Sequence, residues 1–483
     1  MPLNPLYITT FIAFYFVALL TISWITGRGA DEDSYFLGNK QSRWYLVAFG
    51  MIGDSLSGVT FISVPGIVAA DHFNYLQVVL GYVVGYFVIG SVLLPLFYSR
   101  NLTSIYTYLR TRFGFYAEKT GSFYFILSRL LGAGARLYLA INVLQIFVFD
   151  QWQIPFALSS IIVIVLILLY TIRGGIKTLV WTDVFQSSFL LLAVVFSIGA
   201  IMHQLDMGPS TLFSTIAGSD MAQVFHWDWL PKSFFPKQFI GGALIALTMT
   251  GLDQNMMQKN LSCRSLKEAQ TNIYTFSFIQ LAVNIFFLSL GVLLYHFAMV
   301  KGVELPTKSD QVFPFLALNH LGSFAAIVFI VGLTAATFNS ADSVLTTLTT
   351  SFYFDFLDQK NQDKATRMMV HIGFAVLLLG VILGFKWLNS AAVIDSVLFI
   401  ANITYGPLLG LFMFGILSKR KVVDTLIPLV CVVVPLFCYW LSMFTKSNPA
   451  GYQIGNELLL INGGLTFLGL YVFSKKNAAT SNL

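Results

Sequence analysis

Apolar stretches of about twenty residues recur along this chain, too long for strands and without a strand's two-residue alternation. The first, PLYITTFIAFYFVALLTISWIT at residues 5–26, has neither a basic start nor a small-residue cleavage site, so it reads as a retained span. The pattern predicts about thirteen membrane helices, over residues 5–26, 44–70, 76–99, 121–149, 154–172, 178–203, 237–258, 270–299, 323–352, 368–387, 391–416, 422–444 and 455–474. A closed β-barrel would show alternating segments of roughly ten residues instead. The expected fold class is an all-α polytopic membrane protein, with 1–483 as a single transmembrane domain, because no connection is long enough to fold alone.

Composition agrees with the pattern: 57% of the residues are hydrophobic, 10% are charged, and the mean hydropathy is +0.76. A formal charge of +6 does not point to nucleic acid here, because the basic residues sit in short loops beside spans and report orientation. They cluster at Arg28, Lys40 and Arg43; at Arg100, Arg110, Arg112 and Lys119; at Arg173 and Lys177; at Lys259, Arg264 and Lys267; at Lys360, Lys364 and Arg367; at Lys419 to Lys421; and at Lys475 and Lys476. Each cluster falls in an alternate loop. The positive-inside rule then makes those loops cytoplasmic, with the amino terminus outside and the carboxyl terminus inside a plasma or inner cell membrane. Cys263, Cys431 and Cys438 offer neither a paired framework nor a CxxC zinc motif.

Ionisable groups at membrane depth are costly, about 2.5–3.5 kcal/mol each on insertion scales, so each must face protein, water or an ion. The spans carry Asp54, Asp183, Asp253 and Asp342 among the acids, with Arg129 and Arg136. Asp54 lies in MIGDSLSGVTFISVPG, where Gly53 and Gly58 frame a segment prone to unwind. The seventh span, FIGGALIALTMTGLDQNMMQ, is interrupted in the same manner by Gly241, Gly242 and Gly251. Unwound backbone is tolerated in a bilayer where its carbonyls line a cavity or bind something. Close glycine packing, with serines bonded back to their own helix, is the alternative reading. Interruptions in the second and seventh spans are five spans apart, as an inverted repeat of five plus five helices requires. The repeats would cover residues 44–203 and 237–416, with 5–26 as a leading helix and 422–474 as two trailing ones.

In TAATFNSADSVLTTLTTS, residues 334–351, a helical period places Ala336, Asn339, Ser340, Ser343 and Thr347 close together, with Asp342 at the margin. These oxygens, beside the broken second span, suit a dehydrated sodium ion. Interhelical hydrogen bonding is the competing reading for the threonines, and weaker for Asp342, because a bundle gains little from a carboxylate buried for packing alone.

At these residues the chain resembles the sodium/solute symporter family, which includes sodium/glucose, proline, iodide and sialic acid transporters. GGIKTLVWTDVFQ (174–186) is similar to the family's fifth core helix, GLDQNMMQKNLSCRSLKEAQ (251–270) to its sixth and the following loop, and AATFNSADSVLTTLTTSFYFDF (335–356) to its eighth. SVPG (63–66) and YGPLLGLFMFGIL (405–417) match the ends of core helices one and ten. The resemblance implies a leucine-transporter-type 5+5 inverted repeat and a sodium site at Gly53, Leu56, Ala336, Asn339 and Ser340, with Asn339 standing where the family usually has Ser. It also implies a possible second cation at Asp183, Asp342 and Ser343. By the same analogy the solute pocket takes Ser57, Thr60, Gln77, Tyr82, Arg136, Asp253, Gln254 and Asn402. Arg136 is either a bidentate clamp for a substrate carboxylate or a partner for a buried Asp.

The expected function is sodium-coupled uptake of a small polar solute (a sugar, sugar acid, amino acid or monocarboxylate) by alternating access. Sodium is the only cofactor implied. A proton-coupled or sodium-independent exchanger on the same fold is the alternative, prompted by Asp342 and Asn339. Scattered histidines and the lack of an HExxH or P-loop motif argue against an enzyme; His371 reads as a packing residue. The functional unit is expected to be a monomer surrounded by membrane lipid.

Overall fold

The computed structural model describes residues 5–28, 36–357, 364–388, 393–447 and 451–475. Lys360 and Lys476, counted above among the cytoplasmic charges, lie outside these described residues, as do residues 391 and 392 of the eleventh expected span.

A backbone in lipid must satisfy its own polar groups, and this one does so as helices. In chain order these are α1 (Pro5–Thr26), α2 (Trp44–Ser55), α3 (Gly58–Gly66), α4 (Asn74–Val88), α5 (Phe115–Phe147), α6 (Phe156–Thr171), α7 (Gly175–Gln204), α8 (Phe235–Ala246), α9 (Gln254–Leu261), α10 (Leu266–Lys301), α11 (Ser323–Asp355), α12 (Lys364–Leu388), α13 (Val393–Leu417), α14 (Ile427–Lys446) and α15 (Leu458–Val472). Among the described residues eight helices are long and apolar enough to cross a membrane, and α2 with α3 makes a ninth, bent by 58°. Thr10–Thr26, Phe156–Thr171 and Leu458–Val472 are shorter apolar helices. Helices α6 and α7 meet at Gly175, whose φ of 54° and ψ of −161° only a glycine adopts without strain.

Two interruptions shape the interior. Between α2 and α3 the chain leaves the helix at Leu56 and Ser57; between α8 and α9 a π-turn, Leu247–Gly251, is followed by Asp253 in an extended conformation. Both fall in the spans expected to break. Helix α11 runs through the centre and is buried without a gap from Phe329 to Ser351, packed against α7 and α5. Its polar residues therefore face protein on every side, not along a single stripe.

Small residues let neighbouring helices approach closely, the usual basis of association where lipid removes the hydrophobic drive. A Cβ added at Gly81 of α4 would come within 2.8 Å of the Ala243 amide nitrogen, and one at Gly242 of α8 within 2.9 Å of the Val78 carbonyl carbon. Helices α13 and α15 meet in the same way, Gly410 lying where a Cβ would stand 2.8 Å from the Gly463 carbonyl oxygen.

Candidate functional site

The break in the second span frees backbone acceptors. The Leu56 amide donates to the Ile52 carbonyl at 2.7 Å, and the next turn restarts with the Phe61 amide donating to Ser57 at 3.0 Å. Among the described residues the carbonyls of Gly53 and Leu56 accept no backbone hydrogen bond. Gly53 packs against α7 and α11 so closely that an added Cβ would stand 2.5 Å from the Ser187 hydroxyl and 2.8 Å from the Asn339 amide carbon. Its own amide donates to Ser187 Oγ at 3.0 Å.

On α11, Ser340 Oγ donates to the Ala336 carbonyl at 3.1 Å, and Asn339 Nδ2 donates to the Asp183 carbonyl at 3.4 Å. Asn339 Oδ1 is fully buried and has no hydrogen-bond partner. Of the five residues expected to hold sodium, Gly53 meets Asn339 across the break; Leu56 lies at the break itself, and Ala336 and Ser340 lie beside Asn339 on α11. An orphaned buried carbonyl oxygen in this corner is a donor set that a hard monovalent cation fits.

The three residues expected to hold a second cation divide. Asp183 Oδ2 and Ser343 Oγ both receive hydrogen bonds from Lys259 Nζ, at 2.5 Å and 2.9 Å, and the same ammonium is ion-paired with Asp54. Asp342 turns elsewhere, accepting from the Tyr170 hydroxyl at 3.0 Å and from the Ser343 amide at 2.5 Å. Lys259 corrects the reading of the sequence: it is not a charge in a cytoplasmic loop but 1% exposed inside the bundle. Helix α9 continues past the expected end of its span, and its polar residues Gln254, Asn255, Gln258 and Asn260 are all buried. The apolar pattern ends the expected span at residue 258, one residue short of Lys259, which is why the lysine was missed.

A cavity of about 70 Å³ lies beside the two breaks, and Ser57, Thr60, Tyr82 and Arg136 line it together. Tyr75, Arg129, Thr250 and Gln280, none of them among the expected solute contacts, share the lining, as does Asp54. The other four solute candidates sit elsewhere. Gln77 is bonded to Asn74 and to the Ser233 carbonyl. Asp253 caps α9 through the Met256 amide and is held by Arg129 at 2.5 Å and by the Tyr405 hydroxyl at 2.6 Å. Gln254 is occupied with the backbone of Thr103 and Ile105. Asn402 belongs to a second cavity of about 170 Å³, where it donates to Asn456 at 3.3 Å. Tyr75 lines both cavities and its hydroxyl lies 3.5 Å from that of Tyr82, so the tyrosine pair stands between them.

Arg129 is the partner of a buried Asp, whereas Arg136 makes no ion pair or hydrogen bond among the described residues. The threonines of α11 turn back on their own helix, Thr346, Thr347 and Thr350 donating to carbonyls four residues earlier at 2.8–2.9 Å. His371 bridges Thr171 and Thr349 at 3.0 Å and 2.9 Å, as a packing residue would.

Comparison with known proteins gives this geometry a context. Residues 35–423 match the model of the sodium:solute symporter family. The chain is 25% identical to the sodium/sialic acid symporter NanT of Aliivibrio fischeri, over 94% of this chain and 91% of that one. It is 26% identical to human sodium-coupled monocarboxylate transporter 1, over 81% of this chain and 65% of the relative. Its fold superposes with a TM-score of 0.81 on the substrate-bound, outward-open structure of a sodium-coupled sialic acid symporter, at 21% identity and covering 97% and 99% of the two chains.

Proposed function

The chain belongs to the sodium:solute symporter family, and from that premise we propose that it imports a small carboxylate-bearing solute, one that sodium carries inward by alternating access. The observation that carries the coupling ion is the contact of Gly53, whose carbonyl like that of Leu56 accepts no backbone hydrogen bond, with Asn339, whose Oδ1 is buried without a partner. Sodium in that corner joins α2 to α11 across the break and favours the conformation that presents the cavity to solute. The observation that carries the solute class is Arg136, a guanidinium in the cavity without an acid of its own, beside the hydroxyls of Ser57, Thr60 and Tyr82. A planar carboxylate matches its paired N–H groups. Relatives named for sialic acid and for monocarboxylates share that group.

The layout that fits this reading is thirteen spans: α1 leading, five from α2 to α7, five from α8 to α13, and α14 and α15 trailing. Counting the broken second and seventh spans as one crossing each supports that number. The amino terminus is then outside, and the functional unit is one chain in the plasma or inner membrane.

Uptake into proteoliposomes tests the proposal directly. A carboxylate solute found by thermal-shift screening should accumulate down a sodium gradient and stop when choline replaces sodium. Uptake that persists in choline and follows a proton gradient would select the sodium-independent alternative.

A further inference from the structure

Lys259 is the feature that the proposed transport cycle does not use. Lysine is almost never fully buried unless paired, and here its chain enters from α9 to the meeting point of three other elements. Its ammonium has three N–H donors, and three partners take them: Asp54 at the end of α2, Asp183 on α7 and Ser343 on α11. Asp183 and Ser343 are two of the three side chains expected for a second mobile cation. The third, Asp342, has both oxygens engaged by Tyr170 and a backbone amide.

Resting on the sodium-symport reading above, we propose that Lys259 is a tethered cation that permanently occupies the second ion position, so that one sodium ion accompanies each solute. An ammonium and a sodium ion carry the same charge and are bound by the same carboxylate and hydroxyl oxygens. The difference is that the lysine cannot leave. It neutralises one of the two carboxylates it touches and leaves the pair a single negative charge. Asp54 Oδ1 and Asp183 Oδ1 are buried without hydrogen-bond partners, so the residual charge is not dispersed into donors of the protein. Asn339, whose amide reaches the Asp183 carbonyl, connects this cluster to the proposed sodium site.

Equilibrium binding of radioactive sodium to the purified full-length protein tests the inference, together with the sodium dependence of uptake. The wild type should bind one ion per chain with a Hill coefficient near one, and Lys259→Arg should do the same. Lys259→Gln, which keeps length but removes the charge, should bind two ions with a Hill coefficient approaching two. A wild type that binds two ions overturns the inference and leaves sodium symport standing. A Lys259→Gln protein that still binds one ion overturns it too, reducing the lysine to a structural clamp. If neither protein binds sodium, it is the symport reading that falls. Where Lys259→Gln is fragile, its stability against the logarithm of sodium concentration gives the same count, because the slope follows the number of ions bound. That slope should be twice the wild-type value, and an equal slope refutes the proposal.

Discussion

At the scale of single residues, Arg129 holds a buried acid, Asp253, whereas Arg136 makes no ion pair among the described residues, which leaves its proposed role as a carboxylate clamp open to test. Removing Arg136 deletes hydrogen bonds to a charged group, each worth about 1.5–3 kcal/mol. Arg136→Ala should therefore raise the apparent KM for a carboxylate solute by roughly 10- to 100-fold, measured as initial uptake rates, with little change for the corresponding amide. Asp253→Ala should act on stability instead, because it strands Arg129 in the interior. Losing one member of a buried pair costs about 3–5 kcal/mol, visible as a lower melting temperature in detergent. Ser340→Ala removes a single proposed sodium ligand worth about 1–1.5 kcal/mol, so the half-saturating sodium concentration should rise roughly 5- to 15-fold in uptake assays. The acids and arginines were legible because charge at membrane depth always demands a reason. Which acid met which arginine was not, since Asp253 and Arg129 are distant in sequence and nothing local couples them.

At the scale of elements, the apolar stretches coincide with helices to within about six residues, and Gly53, Gly58 and Gly251 flank the two interruptions, whereas Gly241 and Gly242, expected to interrupt the seventh span, lie inside the continuous helix α8 and serve close packing. What escaped was the end of α9. Its last polar residues, Lys259 and Asn260, fall past the expected end of the span at residue 258 and read as a loop, yet the bundle encloses them because each finds a polar partner inside, Lys259 on Asp183 and Asn260 on the Met256 carbonyl. The break between α2 and α3 invites a direct test. A methyl group at Gly53 would press on Ser187 and Asn339, and overpacking of this kind costs about 1–3 kcal/mol. Gly53→Ala should weaken sodium-dependent uptake more than it lowers the melting temperature in sodium-free buffer, since the displaced groups are those that would surround the ion.

At the scale of the whole molecule, the alternation of basic loops predicts an orientation that labelling can check. All three native cysteines are buried, so impermeant maleimides should report introduced thiols against a low background. Ser210→Cys should react in intact cells, and Lys267→Cys only after permeabilisation; both positions are exposed. Reversal of that pattern would invert the topology. The glycine contacts between α4 and α8 bear on how such a molecule can move. With backbone pressed on backbone at Gly81 and Gly242, the two helices have no side-chain cushion between them at these points, so a shift of one would press directly on the other. The unwound turn at Asp253 is held by Arg129 and Tyr405 to α5 and α13, so a displacement of α8 about that anchored end would reach the cavity through Tyr75 and Tyr82 of α4.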